Sequence, residues 1–177
     1  MTWAFSDESE RGNLVLFGLM TLPAADATNS RRELRRMLLP GQRRVHTAKE
    51  SPRRRRQLLD VVGRLDVEAV VFRLRRPPGM HRTSARALLL GAACAELSAM
   101  GVTNWVLDDE EPVQAARDRR VIDETIRAAR RSLVYDHRAS HDEPLLWAID
   151  AIVWAVGAGA AMHDRVRHLV EEREVPS

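Results

Sequence analysis

Trp3-Ala4-Phe5-Ser6-Asp7 alternates apolar residues with small or polar ones, the period-two pattern of a strand with one buried face. Leu14-Val15-Leu16-Phe17-Gly18-Leu19-Met20 follows as a second, fully buried strand, with Glu10-Arg11-Gly12-Asn13 as a turn between them. This predicts a β-hairpin whose loop is longer than the tightest type. Further along, Val67 to Leu74 is a strongly apolar strand, Thr83 or Ser84 opens a helix running to about Met100, and Val102 to Leu107 is another strand. A hairpin followed by alternating helices and strands points to a mixed α/β sheet with helices packed on it, and the crossover within residues 67–107 should be parallel.

The intervening segments fill in around that frame. Asn29 or Ser30 is placed to cap a short basic helix over 31–39, ended by Pro40-Gly41, and Arg43 to His46 reads as a short edge strand. Ser51-Pro52 forms an N-cap followed by proline at the first helical position, opening a helix to about Leu65. Its first turns carry Arg53 to Arg56, which oppose the helix dipole, so something other than helix stability keeps them there. Pro112 starts a long charged helix to Arg131, Leu133-Val134-Tyr135 reads as a short strand, and Glu143-Pro144 begins the last helix. A tail from about 171 to 177 is expected to lie outside the ordered single domain.

Charge is unevenly placed along the 177 residues. Residues 31–86 hold sixteen Arg and one Lys against five acids, a net of +12, which leaves −9 for the remainder and +3 overall. Such a cationic segment suits a polyanion ligand. It also suits a merely solvated face in a protein whose sole lysine is Lys49. Cys94, the one cysteine, sits among leucines and alanines, so no internal disulfide forms and a reducing cytoplasm is expected. The N-terminus has no basic stretch leading into an apolar one, so no signal peptide is expected.

From Leu145 to Ala161 the chain is apolar except for Asp150 and two glycines. A membrane span is disfavoured, because a central aspartate costs about 2.5–3.5 kcal/mol in a bilayer. A helix buried in a globular core leaves the carboxylate needing either a cation or a buried arginine. Two other acids could meet it. Asp7 shares the strand face of Trp3 and Phe5 by alternation. Asp108 ends an apolar strand, where open α/β sheets bind ligands, although it could instead cap the next helix. Three carboxylates from a strand, a strand end and a helix suit one or two Mg²⁺ or Mn²⁺ ions.

Phe5-Ser6-Asp7-Glu8-Ser9 in the first strand, a basic helix after His46, and Leu145-Leu146-Trp147-Ala148-Ile149-Asp150 near the end together resemble domain-of-unknown-function family 3800 of bacterial proteins. The resemblance implies a ribonuclease H-like fold, a five-stranded mixed sheet with helices packed on both faces. It also implies that Asp7 and Asp150, with Asp108 as a third, are catalytic metal ligands. His46 matches a histidine found before the first main helix in that family, whereas Trp147 stands where glutamine is usual. Glu8, His46 and Glu143 are auxiliary candidates, the last lying two helical turns before Asp150.

Lys49, Arg53, Arg54, Arg55 and Arg56 are the candidates for phosphate contacts, since guanidinium groups bind phosphate bidentately. His137 and His141 with Asp136 and Asp142 form a polar cluster without zinc-motif spacing. No Gly-rich phosphate loop, dinucleotide fingerprint or serine-nucleophile elbow occurs. Three readings follow: a metal-dependent nuclease acting on RNA or DNA, a non-catalytic nucleic-acid-binding module, and a homo-oligomer packing through its apolar C-terminal helix.

Overall fold

The computed structural model describes residues 1–108, 111–130 and 132–177. Asp109, Glu110 and Arg131, which the sequence reading placed at the end of a strand and of a helix, lie outside them. Strands β1 (Thr2–Arg11) and β2 (Leu14–Pro23) pair antiparallel from Thr2↔Pro23 to Arg11↔Leu14. The hairpin loop is therefore only Gly12-Asn13, tighter than expected. Gly12 has φ +63, a positive first central position of the II′ kind that matches strand twist and favours glycine.

Beyond the hairpin the elements are α1 (Ala27–Arg35), a 3₁₀ turn (Thr47–Lys49), α2 (Pro52–Val62), β3 (Glu68–Arg75), α3 (Arg82–Ala99) and β4 (Asn104–Asp108). Then come α4 (Pro112–Ala129), β5 (Val134–Arg138), α5 (Leu145–Ala158), α6 (Ala160–His163), a second 3₁₀ turn (Arg167–Leu169) and β6 (Val170–Glu174). The sheet order is β5-β4-β1-β2-β3-β6, with β2 antiparallel to both of its neighbours and the remaining pairs parallel. The crossover from β3 to β4 joins parallel strands, but the hairpin sits between them in the sheet.

Several expectations change. The sheet has six strands rather than five, because the expected tail forms β6 and pairs with the free edge of β3. Residues 43–46 are not a strand, and β5 and β6 hold the two edges of the sheet. The first helix starts at Ala27 and ends at Arg35, with Asn29 and Ser30 inside it and Asp26 at its N-cap. Ser51 and Pro52 do open α2, and the Ser51 hydroxyl accepts from the Arg54 amide at 3.4 Å.

Side-chain alternation sends each strand's apolar residues to two separate cores. Phe5, Leu16, Met20, Val71 and Val106 face α1, α2 and α5. Val15, Phe17, Leu19, Phe72, Trp105 and Leu107 face α3 and α4. Cys94 is buried on the second side, and burial pushes its thiol up to about 12, which keeps it unreactive.

Helix α5 is the main occupant of the first core. Leu145, Leu146, Ile149, Ile152 and Val153 are buried, each worth about 1.5–3 kcal/mol. Together they outweigh the several kcal/mol needed to desolvate one carboxylate. The apolar face therefore packs inside its own chain, and the sequence-based idea that this helix waits for a partner copy is corrected. Gly18 of β2 lets α5 come close: a β-carbon there would stand 2.2 Å from Val153 and 2.7 Å from Ile149. Among the described residues no helix is long and apolar enough to cross a membrane.

Candidate functional site

Gly18 pairs with Asp7 across the hairpin, so the close approach of α5 occurs opposite the Asp7 carboxylate. Phe5 faces α5, and Asp7, two residues on, points the same way. Val106 does likewise on β4, so Asp108 follows onto that face beside Asp7, the two strands running parallel to Ser6↔Leu107. Asp150 arrives from α5. All three line one cavity of about 150 Å³, together with Arg44, His46 and Ser140. Larger grooves of about 440 and 370 Å³ lie elsewhere and are not lined by any of these three carboxylates.

Asp7 is held well above the ordinary carboxylate range, first by burial and then by the negative charges of Asp150 and Asp108. The Glu8 amide donates to its Oδ1 at 2.7 Å and works the other way, without reversing the direction. Asp150 is better provided for. Its Oδ2 accepts from the Thr47 amide at 2.8 Å and the Thr47 hydroxyl at 2.9 Å, with His46 Nδ1 3.5 Å away. Arg55 in turn donates to the carbonyls of Thr47 and Ala48 at 3.0 and 2.6 Å, fixing the 3₁₀ turn that holds Asp150.

The donor chemistry suits a hard divalent cation: oxygen ligands, negative charge, and a buried carboxylate destabilised by its neighbours. The spacing is less ready. Among the described residues no three His, Cys, Asp or Glu side chains are grouped tightly enough to hold a metal ion. An ion would have to draw these carboxylates inward, against the hold of Thr47 on Asp150.

The auxiliary candidates separate. His46 lines the cavity. The Glu8 side chain ion-pairs with Arg82 and Arg86, each at 3.0 Å, so it is not a fourth carboxylate of the cluster. Glu143 is gripped by Arg31 at 2.8 and 2.7 Å, with Arg138 at 3.6 Å, and is likewise removed from it. The basic set also divides. Lys49, Arg53 and Arg56 are exposed. Arg54 is bound to Glu50 at 2.7 Å and to the Met37 carbonyl, and Arg55 lies 4.8 Å over the Trp154 ring. The arginines that oppose the α2 dipole therefore serve partly as internal ties.

Sequence reasoning passed over Arg44 and Ser140 and gave Thr47 no tie to Asp150. No local pattern marks them, because each meets the site across about 100 residues of chain: 103 from Thr47 to Asp150 and 96 from Arg44 to Ser140.

No family model and no curated protein matches this chain. Among solved structures it is similar to the PCNA:RNase HII complex from Archaeoglobus fulgidus, with a TM-score of 0.56 and 15% identity. The match covers 95% of this chain and 77% of the other. The fold is ribonuclease H-like. At that identity the likeness speaks for architecture alone: a central hairpin, parallel strands beside it, and helices on both faces.

Proposed function

We propose that this ribonuclease H-like chain is a divalent-metal-dependent nuclease acting on nucleic-acid phosphodiesters, with Asp7, Asp108 and Asp150 as ligands of Mg²⁺ or Mn²⁺. The reading rests on one observation: a buried Asp7 facing two further carboxylates and, among the described residues, forming no ion pair with an arginine. Such perturbed groups in a cleft mark functional sites. When bound, a hard cation at such carboxylates activates water and stabilises the leaving oxygen. The chain's own residues do the rest. Thr47 and Arg55 keep Asp150 in place, and His46 beside it orients a phosphate or carries a proton. Lys49, Arg53 and Arg56 contact the backbone of RNA or DNA. Membership of domain-of-unknown-function family 3800 belongs to the same proposal, supported by the motifs around Asp7 and Asp150.

Cleavage of labelled RNA, DNA and RNA–DNA hybrid should depend on Mg²⁺ or Mn²⁺. Asp7→Asn and Asp150→Asn, shown to be folded by circular dichroism, should each lose at least about 100-fold. Full activity in both folded variants sinks the proposal. A non-catalytic nucleic-acid-binding protein on the same fold is favoured by the hold of Thr47 on Asp150. Salt-sensitive binding with no turnover in either metal would select it.

A further inference from the structure

Arg44 stands on the wall of the acidic cavity with Asp7, Asp108 and Asp150, yet among the described residues it forms no ion pair with any of them. Its hydrogen-bond partner is neutral, the Ser140 hydroxyl. A guanidinium remains charged at any working pH, so Arg44 is the permanent cation of this lining. Three other arginines of this region are committed elsewhere. Arg31 grips Glu143, Arg54 grips Glu50, and Arg55 ties the 3₁₀ turn.

Its anchor is well built. Ser140 is buried and sits between β5 and α5, where its carbonyl accepts from the Trp147 indole N–H. The same connection is fixed again at Glu143, which accepts from the Leu145 amide at 3.1 Å and from Arg31. Trp147 thus braces the residue that aims Arg44. An anion entering a cavity lined by three carboxylates meets repulsion, and a fixed guanidinium on the wall offsets it with a bidentate geometry matched to phosphate.

We infer that Arg44, held by Ser140 and through it by Trp147, binds the phosphodiester group that enters the acidic cavity. This rests on the nuclease reading for its ligand, and it assigns the cavity a phosphate-binding residue beside its carboxylates.

The test measures fluorescence anisotropy of labelled RNA–DNA hybrid, single-stranded RNA, single-stranded DNA and duplex DNA with the full chain carrying Asp7→Asn. Arg44→Ala should weaken binding by about tenfold and lower the slope of log affinity against log salt by about 1. Arg44→Lys should restore the slope but only part of the affinity, because a point charge replaces a planar fork. Ser140→Ala should weaken binding with the slope unchanged. Arg120→Ala, an exposed arginine on α4 across the sheet, is the control. Arg44→Ala indistinguishable from Arg120→Ala overturns the inference alone. No binding of any probe overturns it together with the nuclease reading. Binding with the expected Arg44 slope, in a wild type that never cleaves, overturns catalysis and supports the phosphate-binding residue.

Discussion

Asp7 and Glu8 are consecutive residues of one strand, and they meet opposite treatment on the two faces of the sheet. Glu8 points toward α3, where Arg86 and Arg82 neutralise it and its side chain is only 5% exposed. Arg86 continues to Asp118 of α4, with contacts of 3.0 and 2.8 Å. Burial alone would push Asp118 up, but His137, Arg86 and Gln114 bring it down to about 2. Asp7 points toward α5 and finds two more carboxylates, which together with burial drive it the other way. This protein has arginines to spare and places them on one acid and not on its neighbour. A buried acid used for structure is matched by a cation of the chain. A buried acid left among like charges destabilises the fold locally, which points to a ligand that relieves it.

The strongest way to break the comparison is to remove the cation from the matched side. Arg86→Met keeps the volume but leaves Glu8 and Asp118 buried without their shared partner. Loss of one member of a buried pair costs about 3–5 kcal/mol, so urea melts should show a shift of that order. Adding Glu8→Gln and Asp118→Asn should recover much of it. A single variant as stable as wild type would mean that the α3–α4 face is not held by charge, and the contrast with Asp7 would collapse.

A smaller effect sharpens the geometry on the other face. Gly18→Ala places a methyl where Val153 and Ile149 of α5 already sit, at 2.2 and 2.7 Å. Overpacking of this kind costs about 1–3 kcal/mol. Because α5 carries Asp150, nuclease activity should fall further than the stability loss alone explains. Unchanged melting and unchanged activity together would show that α5 is not seated against β2 at this point.

The hairpin, the strand ends and the buried last helix were legible because each is written in local periodicity. Asp7, Asp108 and Asp150 could be placed on one side for the same reason, as alternation and helix spacing set the direction of a side chain. The arginine surface was legible only as a count. Composition counts charges but not partners, and Arg31, Arg54, Arg73, Arg76, Arg82 and Arg86 all turn out to be paired with acids from other parts of the chain or the next turn. β6 was missed because Val170-Glu171-Glu172-Arg173-Glu174 lacks an apolar run. An edge strand with exposed charges draws its stability from pairing with β3, and pairing leaves no local signal. The Thr47–Asp150 and Arg44–Ser140 contacts were missed on similar grounds, as they join ordinary polar residues across the fold.

The smallest expected effect separates Asp7 from Asp118 by pH. Asp118 is lowered on folding, so its contribution is present above its ordinary value of 3.8 and is lost as pH falls through about 2. Asp7 is raised on folding, so its window is inverted: the favourable contribution is complete below 3.8 and is lost as pH rises through the elevated folded value. In chelator at neutral pH, Asp7→Asn should therefore raise the melting temperature above wild type, because the amide removes the repelled charge and still accepts from the Glu8 amide. The gap should close as pH falls below 3.8, where wild-type Asp7 becomes protonated in both states. The difference between the two proteins reports Asp7 together with Asp150 and Asp108, the carboxylates whose charges act on it. Adding Mg²⁺ or Mn²⁺ at neutral pH should raise the wild type and leave Asp7→Asn where it was. A variant less stable than wild type in chelator at neutral pH would mean that Asp7 is content as an anion, and the need for a cation at this face would go with it.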